Sequence, residues 1–365
     1  MISTIQTNAF GTMVDRRTFI KSSAATMGAL AMTAHSNAQS KPIRCALLGL
    51  GHGHCIDALK VLQGLDEYEV VGVCEPDEAM RDRYKDRKEL ESAPRLSEEE
   101  LLNDESIRMV AVESDVPRLL RFGRAAIDAG KHLHLDKPAG TSLPEFKRLL
   151  DEAERENLIV QMGYMFRYNP GFDVIRRAVK EGWLGRIYSI HASMCTDLKP
   201  QSRIETGHHP GGIMLELGCH LIDTITLLLG EPERVTPFLR QDGRLDDGFT
   251  DNTLAILEYD HTMATVETHA MEPHPFPARL FKIVGTEGSI VLTPLEPPIA
   301  RIALRKPAGG YQEGVQMVEF EDLDRHVLDF QELAACIRGE REFPYSKEHD
   351  YQVQRTVLRA CNVDV

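Results

Sequence analysis

The sequence has no excess of positive charge: 42 Lys and Arg stand against 56 Asp and Glu, a formal net charge of −14. So acidic a surface repels phosphate backbones and anionic headgroups, which argues against nucleic acid and membrane surfaces as partners. No run of about twenty apolar residues occurs, so no segment is predicted to span a bilayer. Cysteine is scarce and odd in number, seven residues with no Cys-x-x-Cys pair. Several sit in apolar runs such as "IRCALLG" and "VVGVCE", so buried thiols are expected rather than disulfides. Internal repeats and low-complexity tracts are also missing.

What is there begins with a signal. Arg16 and Arg17 precede Thr18, Phe19, Ile20 and Lys21, then a mildly apolar stretch from Ala24 to Ala34, and "SNAQS" offers a small-x-small cleavage site after Ala38. This is the twin-arginine (Tat) pattern, so residues 1–38 are set apart from the fold, and a periplasmic or otherwise exported location is expected. That route carries proteins already folded. A cofactor acquired in the cytoplasm would therefore have to be held tightly enough to travel.

The remaining length suits two domains, with 42% hydrophobic and 27% charged residues, as in soluble globular proteins. "IRCALLGL", "YEVVGVCEP", "SIRMVAVES", "KHLHLDKP" and "IVQMGYMF" are apolar runs separated by helical spacing. Their alternation predicts an α/β, doubly wound parallel sheet over 39–165. From 166 to 365 the pattern changes to β-rich stretches parted by "DG", "EG" and "GG" turns, with the long apolar helix "GGIMLELGCHLIDTITLLLG". An α+β domain with a large, mostly antiparallel sheet is the expectation there.

The first strand runs into Gly49-x-Gly51-x-x-His54. Glycines at a strand-to-helix turn let backbone approach a pyrophosphate, whose charge the helix N-terminus stabilises. His54 replaces the third glycine, with Gly53 just before it. Gly49, Gly51, His52, Gly53 and His54 are therefore the candidate cofactor turn. Glu75 ends the second strand, where a carboxylate accepts from the adenosine ribose hydroxyls and repels a 2′-phosphate, so NAD is favoured over NADP.

Lys137 in "HLDKP" falls at the carboxyl end of a predicted strand, the edge where open α/β sheets bind ligands. There it can touch both cofactor and substrate, hydrogen-bond a hydroxyl and, with a depressed pKa, help move its proton. Glu216, His220 and Asp223 in "MLELGCHLID" are spaced by four and three, one face of a helix. An imidazole oriented by carboxylates is a sound general base. A metal drawing on His208 and His209 is the weaker reading of that helix, and no metal is expected. "GYMFRYNP" puts Tyr164, Arg167 and Tyr168 where one domain gives way to the next. His132 and His134 are read as structural.

The turn "GLGHGH", the acid Glu75, "AGKHLHLDKP", "GYMFRYNP" and the glycine-flanked helix together resemble the glucose–fructose oxidoreductase / inositol dehydrogenase family (Gfo/Idh/MocA), from about residue 43 to 340. The resemblance implies an N-terminal Rossmann domain and a C-terminal domain whose open sheet forms a homo-oligomer interface. It also implies an NAD(P)-dependent enzyme acting on a ring hydroxyl of a sugar, cyclitol or related carbohydrate. The family's lysine falls on Lys137, with Asp136 where glutamate is usual. Its catalytic Asp and His fall on Glu216 and His220. "VESDVP" replaces the usual Pro- and Asn-containing turn.

The expected catalytic set is thus Lys137, His220 and Glu216, with His220 the favoured base, and the expected substrate set is Tyr164, Arg167, His209 and Asp223. Outside the cytoplasm no free NAD replaces spent cofactor, so each cycle should restore it. A second sugar is reduced, or the same sugar is re-reduced after an elimination, which would make a redox-neutral glycosidase or lyase. A third alternative is a non-catalytic carbohydrate sensor of the same fold.

Overall fold

Alternating apolar strands and amphipathic helices build the first layer of the computed structural model, which describes residues 41–206, 209–243, 245–321 and 324–365. The export signal and His208 lie outside the described residues. Five strands, β1 (Ile43–Leu48), β2 (Tyr68–Cys74), β3 (Met109–Val112), β4 (His132–Leu135) and β5 (Val160–Met162), form an all-parallel sheet in the order β2-β1-β3-β4-β5. β1, β3 and β5 are buried almost throughout, because helices cover both faces of such a sheet. The predicted strand "IVQMGYMF" is shorter than its apolar run. It stops at Met162, and a 3₁₀ turn over Met165–Tyr168 leads to the helix Pro170–Lys180, capped by the Asn169 side chain.

The second sheet has eight strands. β6 (Ile187–Cys195), β7 (Arg234–Arg240), β8 (Asn252–Glu258), β9 (Met263–His269), β10 (Leu280–Gly285), β11 (Gly288–Leu295), β12 (Pro298–Leu304) and β13 (Gly314–Glu319) run in the order β13-β12-β11-β10-β6-β9-β8-β7. Every neighbouring pair is antiparallel except β6 with β9. Alternate residues of β8, β9 and β12 face the core, while Tyr188, Phe238, Met263, Val315 and Met317 stay exposed. Pro237 sits within β7, which is tolerated because β7 is an edge strand. All seven cysteines are buried and free, as expected.

Both sheets belong to one compact unit, Lys41–Val365. The helix Val327–Ile337, near the end of the chain, does not stay with the second sheet. Phe330, Leu333, Ala334 and Ile337 pack with Ile43, Cys45 and Ala111 on the first sheet, and Tyr68 Oη donates to the Phe330 carbonyl at 2.7 Å. The helix Cys55–Gly64 packs in the same apolar cluster, and the late helix completes the cover of that face.

Candidate functional site

The site grows from the turn after β1, where Gly49 adopts φ +93°, a conformation side chains disfavour. At Gly51 a Cβ would lie 2.4 Å from the Asp115 backbone N and 2.9 Å from its Oδ1, so only glycine lets this turn meet the loop after β3. A Cβ at Gly53 would meet nothing within 4 Å, so the backbone there is open to a ligand. The sheet order reverses between β1 and β3, and their two loops border the crevice where open α/β folds bind ligands.

This cradle fits a dinucleotide pyrophosphate, but Glu75 is already engaged. Its Oε2 accepts from the Leu50 N–H at 2.6 Å and its Oε1 from the Asp77 N–H at 2.9 Å. Arg118 contacts both oxygens, at 2.7 and 3.4 Å, so the four lone-pair directions of the carboxylate are taken. Glu75 thus fixes the turn, and a ribose diol reaches it only by displacing the guanidinium. Neither Arg118 nor Asp115, which Arg118 also contacts at 2.5 Å, stood out in the sequence.

From the turn, side chains run down to the end of β4. His52 contacts buried Asp136 through Nδ1 and Glu216 through Nε2, the latter at 3.2 Å. His54 Nδ1 lies 3.4 Å from the other Asp136 oxygen. Lys137 donates to Glu216 Oε1 at 2.5 Å and to the Glu216 carbonyl at 2.9 Å. Burial opposes the charge on Lys137, yet Glu216 outweighs it and the ammonium pKa is raised. The sequence allowed for a depressed value, which the paired carboxylate prevents. Burial also opposes ionisation of Glu216, but Lys137 and His52 hold its pKa well below the usual carboxylate range. At His52 burial is outweighed by Asp136 and Glu216, and the pKa rises to about 9; at His54 burial prevails and lowers it to about 4.

Glu216, His220 and Asp223 do not share one environment. Met214–Gly218 is a π-helical turn, and the α-helix proper begins at Cys219 and runs to Leu229. Glu216 faces the cleft and Lys137. His220 is buried against Phe166 and Tyr164, with ring centroids 5.7 and 6.1 Å away. Burial, reinforced by Lys137, keeps its imidazole neutral, and Nδ1 has no hydrogen-bond partner. Glu216 therefore does not orient His220 here, because its carboxylate is spent on Lys137 and His52.

Asp223 accepts Arg167 at 2.6 Å and approaches His349 at 3.1 Å, while Arg167 also reaches Asp350 at 2.5 Å. Two sequence-predicted substrate residues, Arg167 and Asp223, are thus locked together in the interior. Their opposite charges are buried, and Asp350 is a second carboxylate on the same guanidinium. Tyr164 lies under the same guanidinium, 4.9 Å from ring centre to Cζ.

Of the predicted substrate residues only His209 lines the cleft, which holds about 480 Å³, within the range of small-molecule sites. His52, Gly53, His54 and Glu216 share its walls. Sequence reasoning passed over Glu113, at the end of β3. Both of its oxygens are buried without a hydrogen bond, and His134 Nε2 stands 3.6 Å away. Burial and the neighbouring Asp136 raise its pKa far above normal. An acid closing a fully apolar strand was the available signal.

Known proteins share the sequence pattern and the fold. The family description "Oxidoreductase family, NAD-binding Rossmann fold" matches residues 43–164, and "GFO/IDH/MocA C-terminal domain" matches 172–291. The chain is 26% identical over 310 residues to scyllo-inositol 2-dehydrogenase (NAD(+)) of Bacillus subtilis, covering 81% of this chain and 86% of that protein. It is 24% identical over 315 residues to D-xylose 1-dehydrogenase (NADP(+)) 2 of Haloferax volcanii, covering 85% and 92%. Six further curated relatives are matched over 54–66% of their own length. Among solved structures, GenD2 from gentamicin A biosynthesis, in complex with NAD, superposes with a TM-score of 0.71 at 19% identity, over 91% of this chain and 96% of that one. That likeness shows the fold.

Proposed function

The chain belongs to the Gfo/Idh/MocA family of oxidoreductases, with an NAD-binding Rossmann domain, and on that footing we propose that it oxidises or reduces a ring hydroxyl of a sugar or cyclitol. The observation that carries this reading is the Lys137–Glu216 pair, held at the carboxyl end of β4 beside the glycine turn. When bound, NAD supplies the hydride acceptor or donor. Everything else falls to the chain. The Gly49–His54 turn binds the pyrophosphate. Lys137, kept protonated by Glu216, donates a hydrogen bond to the substrate oxygen and stabilises negative charge on it. His220, neutral and with an unpartnered nitrogen, takes the hydroxyl proton. Glu216 positions both Lys137 and His52.

Export through the Tat machinery to the periplasm belongs to the same reading, supported by Arg16, Arg17 and the stretch that follows them. A dinucleotide retained through export and restored in each cycle follows from it. Self-association through the second sheet is supported by the exposed Phe238, Met263 and Met317 on its outer face.

The test is to purify the protein without added cofactor, denature it and identify any released dinucleotide, then assay sugars and cyclitols with wild type, Lys137→Ala and His220→Ala. NAD release and turnover lost in both variants are expected. No affinity for NAD or NADP, or variants as active as wild type, would sink the proposal. Glycosides belong in the same panel: sugar release without net NADH would identify the elimination route.

A further inference from the structure

The glycine turn carries two imidazoles whose placement pyrophosphate binding does not explain. His52 and His54 both turn their Nδ1 atoms toward Asp136, and the donor atoms of the three residues all lie within 4.8 Å of one another. The two rings stand nearly perpendicular at 79°, with centroids 4.5 Å apart. Ligands bonded to one zinc-sized ion at about 2.0–2.2 Å are separated by up to about 4 Å. Only a small contraction would bring the three donors onto one centre.

The surrounding polar atoms point the same way. Asp136 Oδ2 is buried and, although His52 Nδ1 touches it, has no correctly directed hydrogen-bond donor. Both Glu113 oxygens and His134 Nε2, which lies 3.6 Å from Glu113, are also buried without hydrogen-bond partners. A buried Asp136 oxygen with no directed donor is a position that a cation can fill. His52 has the outer partner that metal-binding histidines use, since its Nε2 meets the Glu216 carboxylate at 3.2 Å. Asp136 Oδ1 in turn accepts the Lys137 backbone N–H at 2.8 Å.

We infer that His52, His54 and Asp136 bind one first-row divalent transition-metal ion at the wall of the cleft. Two histidines and a carboxylate leave coordination positions open, as catalytic zinc and ferrous sites do. Since His52 and His54 line the cleft, those positions face the substrate. The ion would bind the oxygen of a substrate hydroxyl or carbonyl as a Lewis acid, without changing its own oxidation state. That role rests on the oxidoreductase reading; the metal site does not.

Among the described residues the other His/Cys/acid grouping, Cys195 with His269 and Glu272, makes the weaker case. Its thiol already contacts the Pro275 carbonyl at 3.4 Å, and its His269–Glu272 pair is 3.7 Å apart.

The experiment uses the full chain, stripped with a chelator and titrated with Co²⁺ and Zn²⁺ in the absence of NAD and sugar. Expected are one ion per chain by elemental analysis, cobalt d–d absorption and a higher unfolding temperature with zinc. His52→Gln and Asp136→Asn should each weaken binding at least a hundredfold, Glu216→Gln about ten- to a hundredfold, and Cys195→Ser not at all. Absence of both the cobalt spectrum and the zinc-dependent thermal shift in wild type overturns the inference, and needs no variant to fold. Binding that survives His52→Gln and Asp136→Asn overturns it too. Metal bound as expected by a protein with no affinity for NAD would uphold the site while refuting the proposed function.

Discussion

Replacing Glu216 by Gln removes the carboxylate that partners Lys137 while leaving the residue's carbonyl, 2.9 Å from Nζ, in place. Lys137 is buried to 2% exposure, so the ammonium cannot turn to water instead. Two charges about 4 Å apart interact by about 4 kcal/mol at an effective dielectric of about 20, equal to roughly three pKa units. Breaking a buried pair by removing one member costs about 3–5 kcal/mol. With an unfolding entropy of about 2.1 cal/mol/K per residue, about 4 kcal/mol spread over the folded unit lowers the melting temperature by about 6 °C.

The pH dependence has a definite sign. In wild type the raised Lys137 pKa contributes stability below the unfolded lysine value and loses it as pH climbs through the folded one. In the variant the buried ammonium falls below the unfolded value, so the deficit is complete near pH 7 and shrinks toward pH 10. Calorimetry at several pH values measures this directly. A variant that melts within a degree of wild type near neutrality would refute the claim that Glu216 holds a buried charge.

Three further outcomes are expected. Gly51→Ala drives a Cβ into the Asp115 backbone and should weaken dinucleotide binding more than tenfold, about 1.4 kcal/mol by titration calorimetry; unchanged affinity would contradict the cradle. Asp223→Asn leaves buried Arg167 with Asp350 as its remaining carboxylate partner and should cost about 1.5–3 kcal/mol in urea unfolding while leaving the substrate KM unmoved; a KM effect with normal stability would restore Asp223 to the substrate site. Burial, then Arg108, lowers His132 to about 4, and its Nδ1 accepts the Ile159 N–H at 3.1 Å. Between about pH 6.5 and 4 the unfolded chain binds a proton the fold refuses, so stability should fall with acid. His132→Asn should flatten that slope, and an unaltered slope would place the effect elsewhere.

The parallel sheet was legible because each of its strands is an apolar run between helical periods, and local pattern suffices for that. The second sheet was legible from alternation, as in β8 and β9. The return of Val327–Ile337 to the first sheet was not, since an apolar helix face does not say which sheet it will cover. The cofactor turn and Lys137 could be placed from spacing relative to strand ends. The separation of Glu216, His220 and Asp223 could not: their spacing suits one helical face, and it was Lys137, the Tyr164–Phe166 wall and Arg167 that drew them to different ends.

By itself, then, the sequence determined the two sheets, the strand-to-helix glycine turn and the lysine at a strand's carboxyl edge, because those depend on periodicity and chain geometry over a few residues. Only the tertiary structure decided that Glu75 is sealed by Arg118, that Arg167 and Asp223 are interior, and that His52, His54 and Asp136 converge. Partners 43, 56 and 82 residues apart in the chain must choose one another. Once water is excluded, that choice goes to whichever opposite charge or donor lies within about 3 Å.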